Sequence, residues 1–218
     1  MSIYEYRTVR IERAGWPRFS RSLFGTCSDQ TIRSGGSVSA LFAGVIGLAA
    51  DEGVLMRAWP DREALANNAA RTLTVEGLVE SRVVVLEPTV RPIGTATPTE
   101  PGVYAHRWFW VRDEDQDEFI RLSEEGVWPF FEADGCEIIG LWREIARGAP
   151  VGLLLITRYV SVAHWERTRT QAPEPPAGAD ARLYELARQA VRRRAELTQR
   201  SIVRLTRLVR PESPRCQR

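Results

Sequence analysis

The chain has 218 residues, 44% of them hydrophobic, and its 30 basic and 28 acidic residues leave a net charge of +2. That length and apolar content suit one large domain or two small ones with a real core, and the balanced charge excludes a global pull toward nucleic acid or membrane. No apolar run approaches the roughly 20 residues needed to span a bilayer.

The opening segment, Met1-Ser2-Ile3-Tyr4-Glu5-Tyr6, is strand-like and lacks the basic-then-apolar pattern of a signal peptide. Cys27, Cys136 and Cys216 are odd in number and far apart, with no CxxC or Cys/His spacing. A disulfide framework or structural zinc site is therefore not expected, and a reducing cytoplasm is the expected compartment.

Strand 3–11 leads to a helix around 16–31, strands near 37–47 and 53–59, a helix over 61–76 and a strand over 81–90. After a proline-marked linker, 93–102, strand 103–111 leads to helix 114–125 and strands 136–145 and 151–159. A helix then starts near 161 and breaks at a Pro/Gly-rich insert, 171–180. A helical stretch over 181–199 and strand 201–210 follow, with a tail over 212–218. Asp61 and Ser161 are N-cap residue types at the starts of their helices. Asp51-Glu52-Gly53 and Ala149-Pro150 read as hairpin turns.

The order β-α-β-β-α-β thus occurs twice, and the residues repeat with it. At an offset of 100, Tyr4 meets Tyr104, Arg7 meets Arg107, Phe19 meets Phe119, and Val54, Met56 and Trp59 meet Leu154, Ile156 and Tyr159. Val90-Arg91-Pro92 matches Val209-Arg210-Pro211 at an offset of 119, and the 171–180 insert supplies the slippage. The predicted fold is α+β: two tandem ferredoxin-like units, 1–92 and 103–211, whose sheets pair into one intrachain α/β barrel.

Alternation in the first strands assigns their faces. Ile3, Val9 and Ile11, with Val103, Ala105, Phe109 and Val111, suit packing under helices. Tyr4, Tyr6, Thr8 and Arg10, with Tyr104, His106, Trp108 and Trp110, suit the wall between the sheets. Arg7 and Arg107 fall on the helix side in both halves, where a carboxylate at a strand end would be a natural partner.

The Tyr-rich opening strand, Gly135-Cys136-Glu137-Ile138-Ile139-Gly140-Leu141-Trp142-Arg143, and Arg158-Tyr159 followed by Ser161-Val162-Ala163-His164-Trp165 resemble the NIPSNAP-like branch of the dimeric α/β-barrel superfamily. The resemblance implies the barrel fold. It leaves activity open among cofactor-free monooxygenases, cyclases, lactone isomerases and haem enzymes.

Two functional readings follow. In the first, a small aromatic or polyketide-like molecule binds inside the barrel and undergoes cofactor-independent acid/base chemistry: cyclisation, isomerisation or oxygenation. His106 is the acid/base group, with Tyr104 and Tyr6 orienting the ligand. Trp108, Trp110, Trp142, Tyr159 and Tyr4 form a flat wall, and Arg10 meets a carboxylate or phenolate. No cofactor or metal is expected; the partners are a small molecule and further copies of the chain. In the second reading the protein is a non-catalytic assembly protein whose barrel is filled by its own side chains. His164, three residues after Ser161, reads as a helix-start residue that answers a backbone amide rather than as a haem ligand. The Arg192-Arg193-Arg194 run, with Arg188 and Arg200, reads as a solvated helix face.

Overall fold

The structure is a computed structural model, describing residues 2–69, 73–145, 148, 150–170 and 172–211. Parts of several expectations lie outside these residues: Met1, 70–72 of the 61–76 helix, Ala149 of one turn, Gln171 of the insert, and the 212–218 tail with Cys216; the 61–76 helix is corrected at its end, since residues 73–76 are not helical.

Eight antiparallel strands close into a barrel in the order β1-β3-β2-β8-β5-β7-β6-β4. They are β1 (Ile3–Ile11), β2 (Ser37–Ile46), β3 (Glu52–Trp59), β4 (Leu78–Arg91), β5 (Val103–Val111), β6 (Glu137–Glu144), β7 (Val151–Tyr159) and β8 (Thr198–Leu208). Each half contributes one ferredoxin-like sheet, β4-β1-β3-β2 or β8-β5-β7-β6, and the β2–β8 and β4–β6 ladders join them. Closure leaves no sheet edge among these strands to pair with another chain.

The two halves share their pairing register. Glu5 faces Arg57 and Arg7 faces Leu55 across β1–β3; Ala105 faces Thr157 and Arg107 faces Leu155 across β5–β7. Tyr4 faces Leu86 and Tyr104 faces Thr206, so the last strands correspond at an offset of 120 (86 to 206). The offset of 119 applies to Val90-Arg91-Pro92, at a register irregularity where Pro88 faces Trp142 and Arg91 faces Leu141, leaving two extra residues in β4 against β6.

The helices lie outside the barrel. In the first half, α1 (Trp16–Ser22), a π-type turn over Leu23–Cys27, α2 (Ser28–Arg33) and α3 (Arg62–Ala69) back the sheet. In the second, α4 (Gln116–Arg121), a π-type turn over Leu122–Val127, α5 (Trp128–Ala133), α6 (Val162–Arg167) and the long α7 (Ala181–Leu197) do so. The helical segment expected to end near 125 continues to Ala133, because Pro129 falls in the first turn of α5, where its missing N–H is not needed. Asp61, Ser161 and Asp180 cap α3, α6 and α7, each accepting from a backbone N–H two or three residues on.

Packing follows the predicted alternation. Tyr4, Tyr6, Phe42, Met56, Tyr104, Trp108, Trp142 and Ile156 belong to one cluster inside the barrel. Val9 and Ile11 lie under the helices of the first half, and Phe109 and Val111 under those of the second. α7 seats closely because its interface is built from small residues. A Cβ on Gly126 would lie 2.4 Å from the Ala190 Cβ, so only glycine at 126 lets α7 approach this near.

Candidate functional site

The inside of the barrel brings together most of the residues singled out above. His106 is fully buried, with ring centroids 5.7 Å from Tyr6 and 4.7 Å from Phe42. Tyr6 meets Trp108 edge-on at 5.5 Å, Trp108 stacks on Trp110 at 5.9 Å, and Tyr4 meets Trp142 at 5.5 Å. These groups pack on one another. The Tyr4 hydroxyl donates to the Gly94 carbonyl (3.2 Å) and accepts from the Ala96 N–H (2.9 Å), and the Tyr104 hydroxyl donates to the Glu100 carbonyl (2.5 Å). The linker is thereby tied across one end of the barrel, with Ala96 joining the inner cluster. The space between the sheets, where the sequence places a ligand, holds this packed aromatic cluster, within which the Tyr6 hydroxyl and the Trp142 Nε1 have no hydrogen-bond partner.

His106 is held between the sheets by a contact to Thr206. The Thr206 hydroxyl sits 3.0 Å from His106 Nε2 and 3.3 Å from the Tyr104 carbonyl, and His106 Nδ1 has no hydrogen-bond partner. Burial, with a smaller push from Arg204, holds the His106 pKa down to about 3, which leaves the ring neutral at physiological pH and a weak base. Burial raises the Tyr6 and Tyr104 hydroxyls, the latter to about 12.

Two other residues depart from the expected wall. Arg10 is about half exposed at the end of β1 and pairs with Glu80 (3.1 Å), so it faces solvent rather than the barrel. Tyr159 packs with Val103, Ala105 and Cys136 on the helix side of β7, the face opposite Leu154 and Ile156. Trp110 reaches the rim, where the Arg200 guanidinium lies over its ring at 5.0 Å.

A cavity of about 390 Å³ opens on the helix side of the second sheet, between β5, β7 and β8 and the helices above them. Phe109, Val127, Phe131, Leu155 and Val191 make its apolar walls, and Arg107, Arg194, Arg200, Thr157, Tyr159 and Ser201 supply its polar groups. No acidic residue lines it among the described residues. Arg194 projects from the buried face of α7, 5% exposed, with its guanidinium over the rings of Phe109 (4.7 Å) and Phe119 (4.3 Å). Its Nε and Nη2 have no hydrogen-bond partner. Burial, reinforced by Arg107, pulls the Arg194 pKa down to about 9, and burial also lowers that of Arg107. Both remain cationic at neutral pH. Buried charge without a counter-ion costs several kcal/mol, so a pair of such cations at one cavity is costly unless something anionic meets it.

Arg107 lies on the helix side, as the alternation predicts, and no carboxylate pairs with it among the described residues. The arginine run predicts Arg194 as part of a solvated stripe. Arg193 does pair with Glu118 and Glu196 at the surface, but Arg194 shares the inward face of α7 with Tyr184, Ala187, Ala190 and Leu197. That spacing was the available signal.

Outside the cavity, His164 behaves much as expected. Its Nδ1 accepts from the Val160 N–H (3.2 Å), and Nε2 meets Asp134 (3.1 Å) and faces Cys136 Sγ (3.7 Å). Burial and Asp134 push the Cys136 thiol up to about 12, which makes it a poor nucleophile. A haem in the helix-side cavity would need an axial ligand there; the lining holds no His, Cys or Met, and burial pushes the hydroxyl of its Tyr159 well above the usual phenol range, against the phenolate that would ligate iron. Both histidines are committed elsewhere, so the residues present do not fit that group. Among the described residues no group of three or more His, Cys, Asp or Glu is placed to hold a metal, and no helix is long and apolar enough to cross a membrane.

No protein-family model matches the chain, and no curated protein matches it in sequence. Solved structures do match in fold. An anthrone oxidase-like protein superposes with a TM-score of 0.64 at 15% identity, covering 96% of this chain and 92% of that one. A protein described as a candidate monooxygenase from Lactobacillus acidophilus gives 0.57 at 11% identity, covering 95% and 93%. A variant of chlorite dismutase from Candidatus Nitrospira defluvii gives 0.59 at 8% identity, covering 96% and 92%. The fold is therefore that of the dimeric α/β barrels, with both units in one chain.

Proposed function

We propose that the protein is a small-molecule enzyme of the oxygenase type whose ligand occupies the helix-side cavity of the second half. The observation that carries this reading is the cavity itself, with its aromatic and aliphatic walls and two arginines in its lining, one of them with unpartnered donors. The anthrone oxidase-like and monooxygenase-described neighbours support the reaction class. In the simplest such reaction an activated ring CH2 and one dioxygen become a ring ketone and water, with no external reductant. A NIPSNAP-like assignment rests on the Gly135–Arg143 and Ser161–Trp165 segments, and assembly into homo-oligomers belongs to the same proposal. The packed barrel favours a second reading, a non-catalytic interaction protein.

The test compares the two faces of the sheet. With anthrone as substrate, dioxygen uptake and ketone formation are expected in equal amounts. Val191→Trp, which fills the helix-side cavity, is expected to abolish turnover, and His106→Gln, inside the barrel, to preserve it. The reverse pattern would return the site to the barrel. If a panel of anthrones, phenols and naphthols gives neither turnover nor thermal protection, the interaction-protein reading is the better one.

A further inference from the structure

The duplication provides an internal control for the cavity. In the first half Glu5, 3% exposed, sits on the helix side of β1 and gathers three donors. Arg57 Nη2 lies 2.6 Å from one carboxylate oxygen and Trp59 Nε1 donates to the same atom at 3.2 Å, while Arg7 Nη2 reaches the other at 3.2 Å. Arg7 also donates to Ser81 Oγ (2.9 Å). The second half keeps half of this arrangement. Arg107 stands at the position of Arg7 and Ser201 at that of Ser81, both lining the cavity. The carboxylate is gone: Ala105 occupies the position of Glu5. Thr157 and Tyr159 replace Arg57 and Trp59, and Arg194 enters from α7 as the second cation. The space beside Arg57 and Trp59 in the first half is about 50 Å³, against about 390 Å³ in the second.

We propose that the second half has exchanged its internal carboxylate for that of a ligand: the cavity binds an aromatic carboxylic acid, its carboxylate seated between Arg107 and Arg194 above Ala105, where Glu5 projects in the first half. This rests on the helix-side cavity being the ligand site and names the ligand's class. A carboxylate is the anion that the duplicated architecture already accommodates. Its two oxygens match two guanidinium donors, and Ser201 repeats the hydroxyl that assists Arg7. The aromatic walls take the rest of the molecule.

The proposal is tested by returning the missing group. Ala105→Glu installs the carboxylate in the cavity, and Ala105→Gln adds the same bulk without charge. Ala105→Glu is expected to melt about 2–8 °C above Ala105→Gln, because only the charged side chain compensates the two arginines. The wild-type protein is expected to be protected by 2-naphthoate and not by 2-naphthamide, and Ala105→Glu by neither. Should Ala105→Glu not fold, Arg194→Met carries the test. It is expected to weaken 2-naphthoate about 10- to 100-fold, the worth of a charge-assisted contact, while the ligand-free protein melts no lower than wild type. A merely structural Arg194 would lower the melting temperature instead, which would overturn the proposal. Equal protection by naphthoate and naphthamide, lost in Val191→Trp, would overturn the carboxylate seat and leave the cavity as the ligand site. A higher melting temperature for Ala105→Glu than for Ala105→Gln, with no naphthoate binding, would support the anion seat and contradict the aromatic part of the functional reading.

Discussion

Glu5 and Ala105 occupy the same register position on the first strands of the two sheets, and the helix sides around them differ accordingly. Around Glu5 the two arginines share one carboxylate, and the space beside Arg57 and Trp59 is small. Around Ala105 the arginine of the strand persists, a second one arrives from α7, and the helices stand over a cavity. A duplicated fold thus keeps its structural copy sealed by an internal ion pair and leaves the other copy incomplete. The inner faces of the two sheets, in contrast, pack together into a single core.

The largest effect expected from breaking this contrast is in the first half. Glu5→Ala strands Arg7 and Arg57 without a counter-ion, and removing one partner of a buried ion pair costs about 3–5 kcal/mol. Urea unfolding is expected to show that loss. A change below about 1 kcal/mol would mean that water already carries the arginines in the sealed half, and the contrast would lose its energetic basis.

Inside the barrel the expected effect depends on pH and is absent at neutral pH. His106 is neutral when folded, with its pKa lowered to about 3, and titrates near 6.5 when unfolded. Its contribution is therefore fully present above about pH 6.5 and is lost as pH falls toward 3, because the unfolded chain binds a proton that the native one does not. Stability is expected to fall by up to about 1.4 kcal/mol per pH unit over that window, and His106→Gln to flatten that part of the decline. An unchanged pH profile in His106→Gln would show that the ring is not held neutral. The smallest effect belongs to Arg10→Ala. It removes a half-exposed, solvent-screened pair with Glu80 and is expected to leave the urea midpoint and ligand binding unchanged.

The architecture was legible because period-two alternation and the offset of 100 were strong. β1, β5 and β7 match their expected spans, and the Tyr4, Tyr6, Tyr104, His106 and Trp108 face turns inward. The site was less legible for a physical reason: aromatic density marks a packed interior as readily as a ligand wall. Tyr159 was assigned to that wall although its odd position on β7, opposite in parity to Leu154 and Ile156, puts it under the helices. Arg194 was hidden among Arg192 and Arg193, since composition sees three arginines where a helix turns each about 100° from the last. Arg107 was the informative anomaly, and its meaning depended on seeing that Glu5 has no counterpart.

The central claim, that the ligand seat lies outside the barrel in the second half, is tested most directly by a crystal structure with 2-naphthoate bound. The account predicts the carboxylate within hydrogen-bonding distance of Arg107 and Arg194, and the rings against Phe109, Leu155 and Val191. Naphthoate lodged between the two sheets beside His106 and Tyr6 would contradict it.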